Sequence, residues 1–363
     1  MSLMELFFCF LISLLAILIS CIIFSNSVEW LGAKLNLSHG ITGSILAAVG
    51  TALPETIVPL VAIFWGINKE TLVKILMGKA DTLNSLNQIS MGAIIGAPFM
   101  LSTVAFFLIG LSSLVYFKSK RRKSKVINMD KTVLERDLTF FIISFSLAFL
   151  AIFLSHSFHV IFAIVMLVLY VFYLYLTIKE ETGNKYKGEE LEGNLDPFLL
   201  TKIIPKLKPT LPLIYIQLIF SLVFLIASAH QFVEVIKQVS NLFALPAFVI
   251  SLLLTPIATE LPEKFNSWMW IRQNKDTLAV GNISGALVFQ STFPITIGLL
   301  FTSWQVKAFH GMPLLSHFIF IVCIFNAAIV LFALKKNKLN YKTFLFCGVF
   351  YLVYLGLVFC RCK

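Results

Sequence analysis

Ten stretches of about 20 apolar residues, the length that crosses a bilayer as a helix, organise this chain of 363 residues. They lie near 3–24, 40–64, 89–117, 138–155, 158–178, 211–232, 242–270, 279–304, 314–334 and 343–360. Lipid offers no hydrogen bonds, so a spanning segment must satisfy its own backbone, and an open chain does this as a helix. Composition agrees: 58% of residues are hydrophobic, 13% are charged and the mean hydropathy is +0.90, whereas a soluble domain carries roughly 25% charged residues. The expected fold class is an all-α integral membrane protein with no soluble domain long enough to fold alone. The first stretch lacks a basic leader and a small-residue cleavage site, so it reads as a span and not as a removed signal.

The distribution of charge gives the organisation. The net charge of +11 resides mostly in short loops, which fits the positive-inside rule and leaves no basic helix or aromatic-interleaved basic strand for nucleic acid. With the Lys118-Ser119-Lys120-Arg121-Arg122-Lys123 loop taken as cytoplasmic, alternate loops hold 21 of the 29 lysines and arginines. Lys264 alone falls inside a span. The longest polar break, near 179–210 with Gly183, Gly188, Gly193, Pro197, Pro205 and Pro209, divides the spans five and five. Expected domains are therefore a first five-helix repeat at 1–178, a cytoplasmic linker at 179–210 and a second repeat at 211–363. An odd number of spans per half turns the second half over relative to the first, the inverted-repeat plan of secondary transporters. Both termini are expected outside, with the chain multi-pass in the cell (inner) membrane.

The two halves share motifs. Gly50-Thr51-Ala52-Leu53-Pro54-Glu55 and Ala258-Thr259-Glu260-Leu261-Pro262-Glu263 each place a proline and a glutamate inside an apolar stretch. A charge at the bilayer centre costs roughly 2.5–3.5 kcal/mol on insertion scales, and such residues mark ion or proton paths. Pro54 leaves the carbonyl of Gly50 without its helical donor and loosens that of Thr51; Pro262 does the same to Ala258 and Thr259. If the helices cross at the midplane, two glutamates and the threonine carbonyls bring about six hard oxygens, the lower end of what calcium takes. Further on, Gly92-Ala93-Ile94-Ile95-Gly96-Ala97 matches Gly281-Asn282-Ile283-Ser284-Gly285-Ala286, and both are G-x-x-x-G patterns that allow close helix approach. The interval from glutamate to glycine is longer in the first half, which places an insertion at 66–88 on the outer side.

These motifs resemble the cation/calcium exchanger superfamily, specifically the sodium/calcium exchanger membrane region. Its two alpha repeats carry a Gly-Thr-Ser-Leu-Pro-Glu helix followed by a Gly-Asn-x-x-Gly-Ser-Asn helix on ten spans. The resemblance implies alternating-access antiport, with calcium held by Glu55 and Glu263 and by the carbonyls of Thr51 and Thr259. The chain departs from the pattern where the family's serines, asparagines and closing polar residue help to bind sodium: here stand Ala52, Glu260, Ala97-Pro98, Ala286-Leu287, Leu101 and Gln290. Sodium coupling is thereby placed in doubt, and protons become the simpler counter-ion.

Glu260 and Lys264 are spaced for a helix ion pair in the favourable order. With Glu55, Glu260 and Glu263 set against Lys264, the site carries −2, which one divalent cation or two protons would neutralise; the lysine ammonium stands where a monovalent ion would otherwise sit. Asn282 and Gln290 either join the ion's surroundings or only bond neighbouring helices, and Lys264 could instead reach the interface along its stem. No resident cofactor is expected, and the partners are inorganic cations, calcium first, and membrane lipid. The six cysteines show no zinc or redox spacing beyond a terminal Cys-x-Cys and read as packing residues; the histidines fall near span ends. A membrane enzyme would need a catalytic motif such as H-E-x-x-H or G-x-S-x-G, which the chain lacks, so the chain is not expected to be an enzyme. The alternative function is an exchanger homologue that has lost transport and serves as a membrane sensor or scaffold.

Overall fold

The computed structural model describes residues 3–35, 47–64, 85–122, 124, 126–183, 197–203, 208–304 and 313–361. Among them every regular element is helical. In chain order these are α1 (Leu3–Lys34), α2 (Ala47–Phe64), α3 (Ser85–Met100), a π-helical turn (Leu101–Ala105), α4 (Phe106–Lys118), α5 (Lys131–Ala151), α6 (His156–Gly183), α7 (Leu199–Ile203), α8 (Leu211–Phe243), α9 (Ala247–Arg272), α10 (Asp276–Gln290), α11 (Phe293–Phe301), α12 (Pro313–Lys335), α13 (Tyr341–Cys347) and α14 (Val349–Arg361). The π turn joins α3 to α4, a short turn at Ser291 and Thr292 joins α10 to α11, and α13 abuts α14 at Gly348. Each of the ten apolar stretches thus contains one helical rod.

Among the described residues, seven rods are long and apolar enough to cross a membrane by length and composition alone. Of the other three, α5 and α9 carry more charge. α9 carries Glu260, Glu263 and Lys264, and α5 opens with Lys131, Glu135, Arg136 and Asp137. α2, Ala47–Phe64, is apolar along its length and is interrupted only by Pro54, Glu55 and Pro59. Large apolar side chains such as Phe172, Ile216, Phe220 and Phe332 face outward, as expected of a surface in contact with acyl chains.

Helices of the first half pack on helices of the second: α1 lies along α8, and α3 along α9. The α3–α9 crossing is backbone against backbone. A Cβ on Gly92 would sit 2.3 Å from the carbonyl oxygen of Phe248, and one on Gly96 2.4 Å from that of Leu252. The matching pair behaves differently, because a Cβ on Gly281 or Gly285 would meet only Val133 at 3.8 Å or the Tyr173 hydroxyl at 3.7 Å. The expected symmetry of close approach therefore holds for the first motif and not for the second. Ser251 reinforces the first crossing by donating to the Ile89 carbonyl at 2.7 Å.

The two glycine-faced rods are interrupted at corresponding places. Counting from Gly92 and Gly281, Leu101 corresponds to Gln290 and Ser102 to Ser291. The π turn starts at Leu101, just after Pro98 within α3, and α10 ends at Gln290. A π turn inside a helix commonly marks a functional position, and Asn326 of α12 covers this one by donating to the Ser102 carbonyl at 3.0 Å.

The expected linker differs in its edges. α6 runs on to Gly183, and the short α7 lies within the 179–210 stretch. Just before and within α7 the chain is anchored: the Leu199 amide donates to Asn26 Oδ1 at 3.1 Å, that of Leu200 to Gln217 Oε1 at 3.2 Å, and Phe198 meets Trp30 edge-on. Nearly all of the expected 66–88 insertion, together with His39 and His310, lies outside the described residues. His159, near a span end, is buried, with its Nε2 2.9 Å from the Ala151 carbonyl.

Candidate ion-binding site

α2 and α9 each run through their prolines without a break in helix. The carbonyls that the prolines leave without donors therefore lie within continuous helices, each missing proline N–H opening a single gap in the hydrogen-bond ladder. The glutamates that follow the prolines turn inward. Glu55 is 3% exposed and Glu263 1%, and none of their carboxylate oxygens accepts a hydrogen bond. The two carboxyls face one another closely enough to interact directly. Two unpartnered carboxylates buried together form a high-energy arrangement unless a cation or protons join them.

Glu260 and Lys264 form the ion pair their spacing suggested. The Lys264 ammonium donates to Glu260 Oε2 at 2.6 Å, with the two side chains 5% and 0% exposed. Lys264 therefore points into the protein and not along the interface. Both members lie within electrostatic range of Glu55 and Glu263, so three acids and one ammonium share the centre of the molecule. Removing one member of a buried pair strands the other charge and costs about 3–5 kcal/mol.

The remaining sequence candidates surround this centre. Thr259 is buried, and its hydroxyl donates back to the Thr255 carbonyl at 3.2 Å, leaving the side chain occupied. Thr51 lies in α2, where its side chain is outside the described residues. Asn282 donates to the Glu263 carbonyl at 3.2 Å and to Ser267 Oγ at 3.1 Å, tying α10 to α9 at the level of the acid. Gln290 is fully buried and faces Glu260, although neither its Oε1 nor its Nε2 has a hydrogen-bond partner. Ala97, Leu101 and Ala286 are buried and bring no oxygen. Among the described residues, no three His, Cys, Asp or Glu side chains converge as metal ligands; with Glu260 held by Lys264, two acids remain.

Three features of the surroundings were not anticipated. Cys21 of α1, read as a packing residue, is indeed buried among Ile57, Val58 and Ala258, but it also lies within electrostatic range of Glu55 and Glu263. Asp137, at the start of α5, accepts from Ser284 Oγ at 2.5 Å, Tyr173 at 3.1 Å and Arg136 Nη2 at 3.1 Å. It thereby holds the face of α10 that carries Ser284. Finally, Arg122 belongs to the basic loop read as a topology signal, yet it is buried and pairs with both oxygens of Asp276. It also donates to the carbonyls of Ser124, Val126 and Ile271, pinning the α4–α5 loop to the joint between α9 and α10. The acid placed at the head of an apolar run was the one available hint of Asp137; the distant partner of Arg122 left no local signal.

Comparison with known proteins bears on the whole chain. The family model described as sodium/calcium exchanger protein matches residues 5–179 and 213–360. An uncharacterized membrane protein of Methanocaldococcus jannaschii is 24% identical over 273 residues, 75% of this chain and 74% of that protein. Among solved structures, the H+/Ca2+ exchanger CAX aligns with a TM-score of 0.71 at 16% identity, covering 98% of this chain and 84% of that one. The sodium-calcium exchanger NCX_Mj aligns with a TM-score of 0.55 at 19% identity, covering 98% and 99%. At such identities the structural likeness shows the fold, an all-helical membrane protein of two inverted repeats.

Proposed function

Since the chain belongs to the sodium/calcium exchanger protein family, a family of transporters and not of enzymes, we propose that it is a secondary antiporter moving one divalent cation, calcium, against protons by alternating access. The observation that carries this reading is the meeting of Glu55 and Glu263, one from each half, buried and without hydrogen-bond partners. Glu55, Glu260 and Glu263 against Lys264 leave a charge of −2, matched by one divalent cation or by two protons. The two loads are interchangeable in charge, which is what an exchanger requires of alternating occupants of one site. The carbonyls of Thr51 and Thr259 and bound water complete the calcium shell, because two carboxylates alone bring fewer than the six oxygens calcium needs.

Protons are favoured over sodium by what surrounds the acids. A sodium ion stripped of water must recover oxygen ligands, and the buried Ala97, Leu101 and Ala286 supply none. In vesicles holding the full chain, an imposed pH gradient should drive calcium uptake, and exchanging sodium for choline should leave the rate unchanged. Uptake driven by a sodium gradient but not by a pH gradient would refute proton coupling. No flux under either gradient favours the non-transporting homologue, a reading supported by the sparse set of acids.

The orientation proposed from the basic loops puts the α4–α5 loop and the 179–210 linker in the cytoplasm, the α8–α9 turn outside, and the termini outside the cell membrane. A cysteine introduced at Ser124 should be labelled from the cytoplasmic side and one at Ser240 from the opposite side. Labelling of both from one side would be incompatible with the inverted arrangement of the halves that follow from it.

A further inference from the structure

We propose that Glu260 and Gln290 form a monovalent-cation site whose occupant in this chain is the covalently attached ammonium of Lys264, and that sodium enters when the ammonium is removed. Oε2 of Glu260 holds the ammonium at 2.6 Å, while Oε1 is buried without a partner. Gln290, at the end of α10, turns a buried and unpartnered amide toward the same carboxylate, and Tyr351 of α14 lies within electrostatic range of it. The two Glu260 carboxylate oxygens, with the Gln290 amide and the Tyr351 phenol near them, are the polar groups that a cation in the ammonium's place would meet. An ammonium and a dehydrated sodium ion ask for the same thing, several oxygens at short range, and a lysine is a compact point charge on a flexible stem.

The tether fixes what else the centre can hold. With the ammonium in place, the charge left for mobile ions is −2; without it the charge is −3, and one further monovalent cation is required. The inference rests on the proposed transport reading only where flux is measured, because occupancy of the site can be read from stability alone.

The test uses the purified full chain in detergent with sodium chloride or choline chloride at equal ionic strength. Lys264→Met strands Glu260, so its melting temperature should fall in choline and rise by about 5 °C in sodium, as for a ligand that binds only the folded state. Wild type and the double variant Glu260→Gln/Lys264→Met should melt alike in both salts. In vesicles, calcium uptake by Lys264→Met should acquire a sodium requirement that wild type lacks. Recovery of folded Lys264→Met only when sodium is present is the same positive result. Equal melting of Lys264→Met in the two salts, its failure to fold in either, or an equal sodium shift in wild type would overturn the proposal. If wild-type vesicles show no flux while sodium still stabilises Lys264→Met, the transport reading fails and the cation site stands.

Discussion

Glu55→Ala and Glu263→Ala each lower calcium flux by about a hundredfold or more while leaving the protein folded. The magnitude follows from removing one of two carboxylates that face the same ion: losing a short contact to a charged group costs up to about 3 kcal/mol, roughly two decades in an equilibrium constant. The preserved fold follows from the absence of any hydrogen bond to either carboxylate. Deleting a partnerless buried acid strands no donor, so the melting temperature should hold or rise. Initial rates in vesicles together with melting in detergent check both halves of the expectation. Flux near wild type in either variant would separate that glutamate from the ion.

Gly96→Val should do the reverse, unfolding the protein without touching an ion ligand. Its Cβ would sit 2.4 Å from the Leu252 carbonyl oxygen and 2.9 Å from the Leu252 Cα. Both are backbone atoms and cannot swing aside as a side-chain tip could. Overpacking of this kind costs typically 1–3 kcal/mol, and here it pushes α3 away from α9, the helix that positions Glu260, Glu263 and Lys264. The expected result is a fall of several degrees in melting temperature, or loss of monodisperse protein, with Gly92→Val similar. Gly285→Ala is the contrast, because its nearest contact is the Tyr173 hydroxyl at an ordinary 3.7 Å. Equal tolerance of Gly96→Val and Gly285→Ala would contradict the close α3–α9 crossing.

What could be read from the sequence divides along one physical line, the range over which an interaction acts. Every one of the ten apolar stretches contains a helical rod, because spanning length and apolar content are local properties. The Glu260–Lys264 pair was also local, four residues apart on one helix, and it is formed at 2.6 Å. The meeting of Glu55 with Glu263 was long-range, yet it was legible because the repeat encodes it twice. Where the repeat is silent or asymmetric, the sequence was not enough. Gly281 and Gly285 share the motif of Gly92 and Gly96, but their neighbours are the side chains of Val133 and Tyr173 rather than a helix backbone. The Arg122–Asp276 and Asp137–Ser284 contacts join residues 154 and 147 positions apart. Nothing in a run of loop lysines and arginines distinguishes the one that becomes buried. Cys21 shows the same limit from the other side: burial was foreseeable from its apolar neighbours, and proximity to the two acids was not.

In the proposed exchanger, Glu55 and Glu263 form one site filled alternately by a divalent cation and by protons. Calorimetric titration of calcium into the purified chain, repeated in buffers of different ionisation enthalpy, measures binding and proton release together. The expected result is one calcium per chain with release of up to two protons, abolished by Glu55→Gln and by Glu263→Gln alike. Saturable calcium binding that survives either substitution, or that releases no protons at any pH where wild-type vesicles exchange calcium, would contradict it.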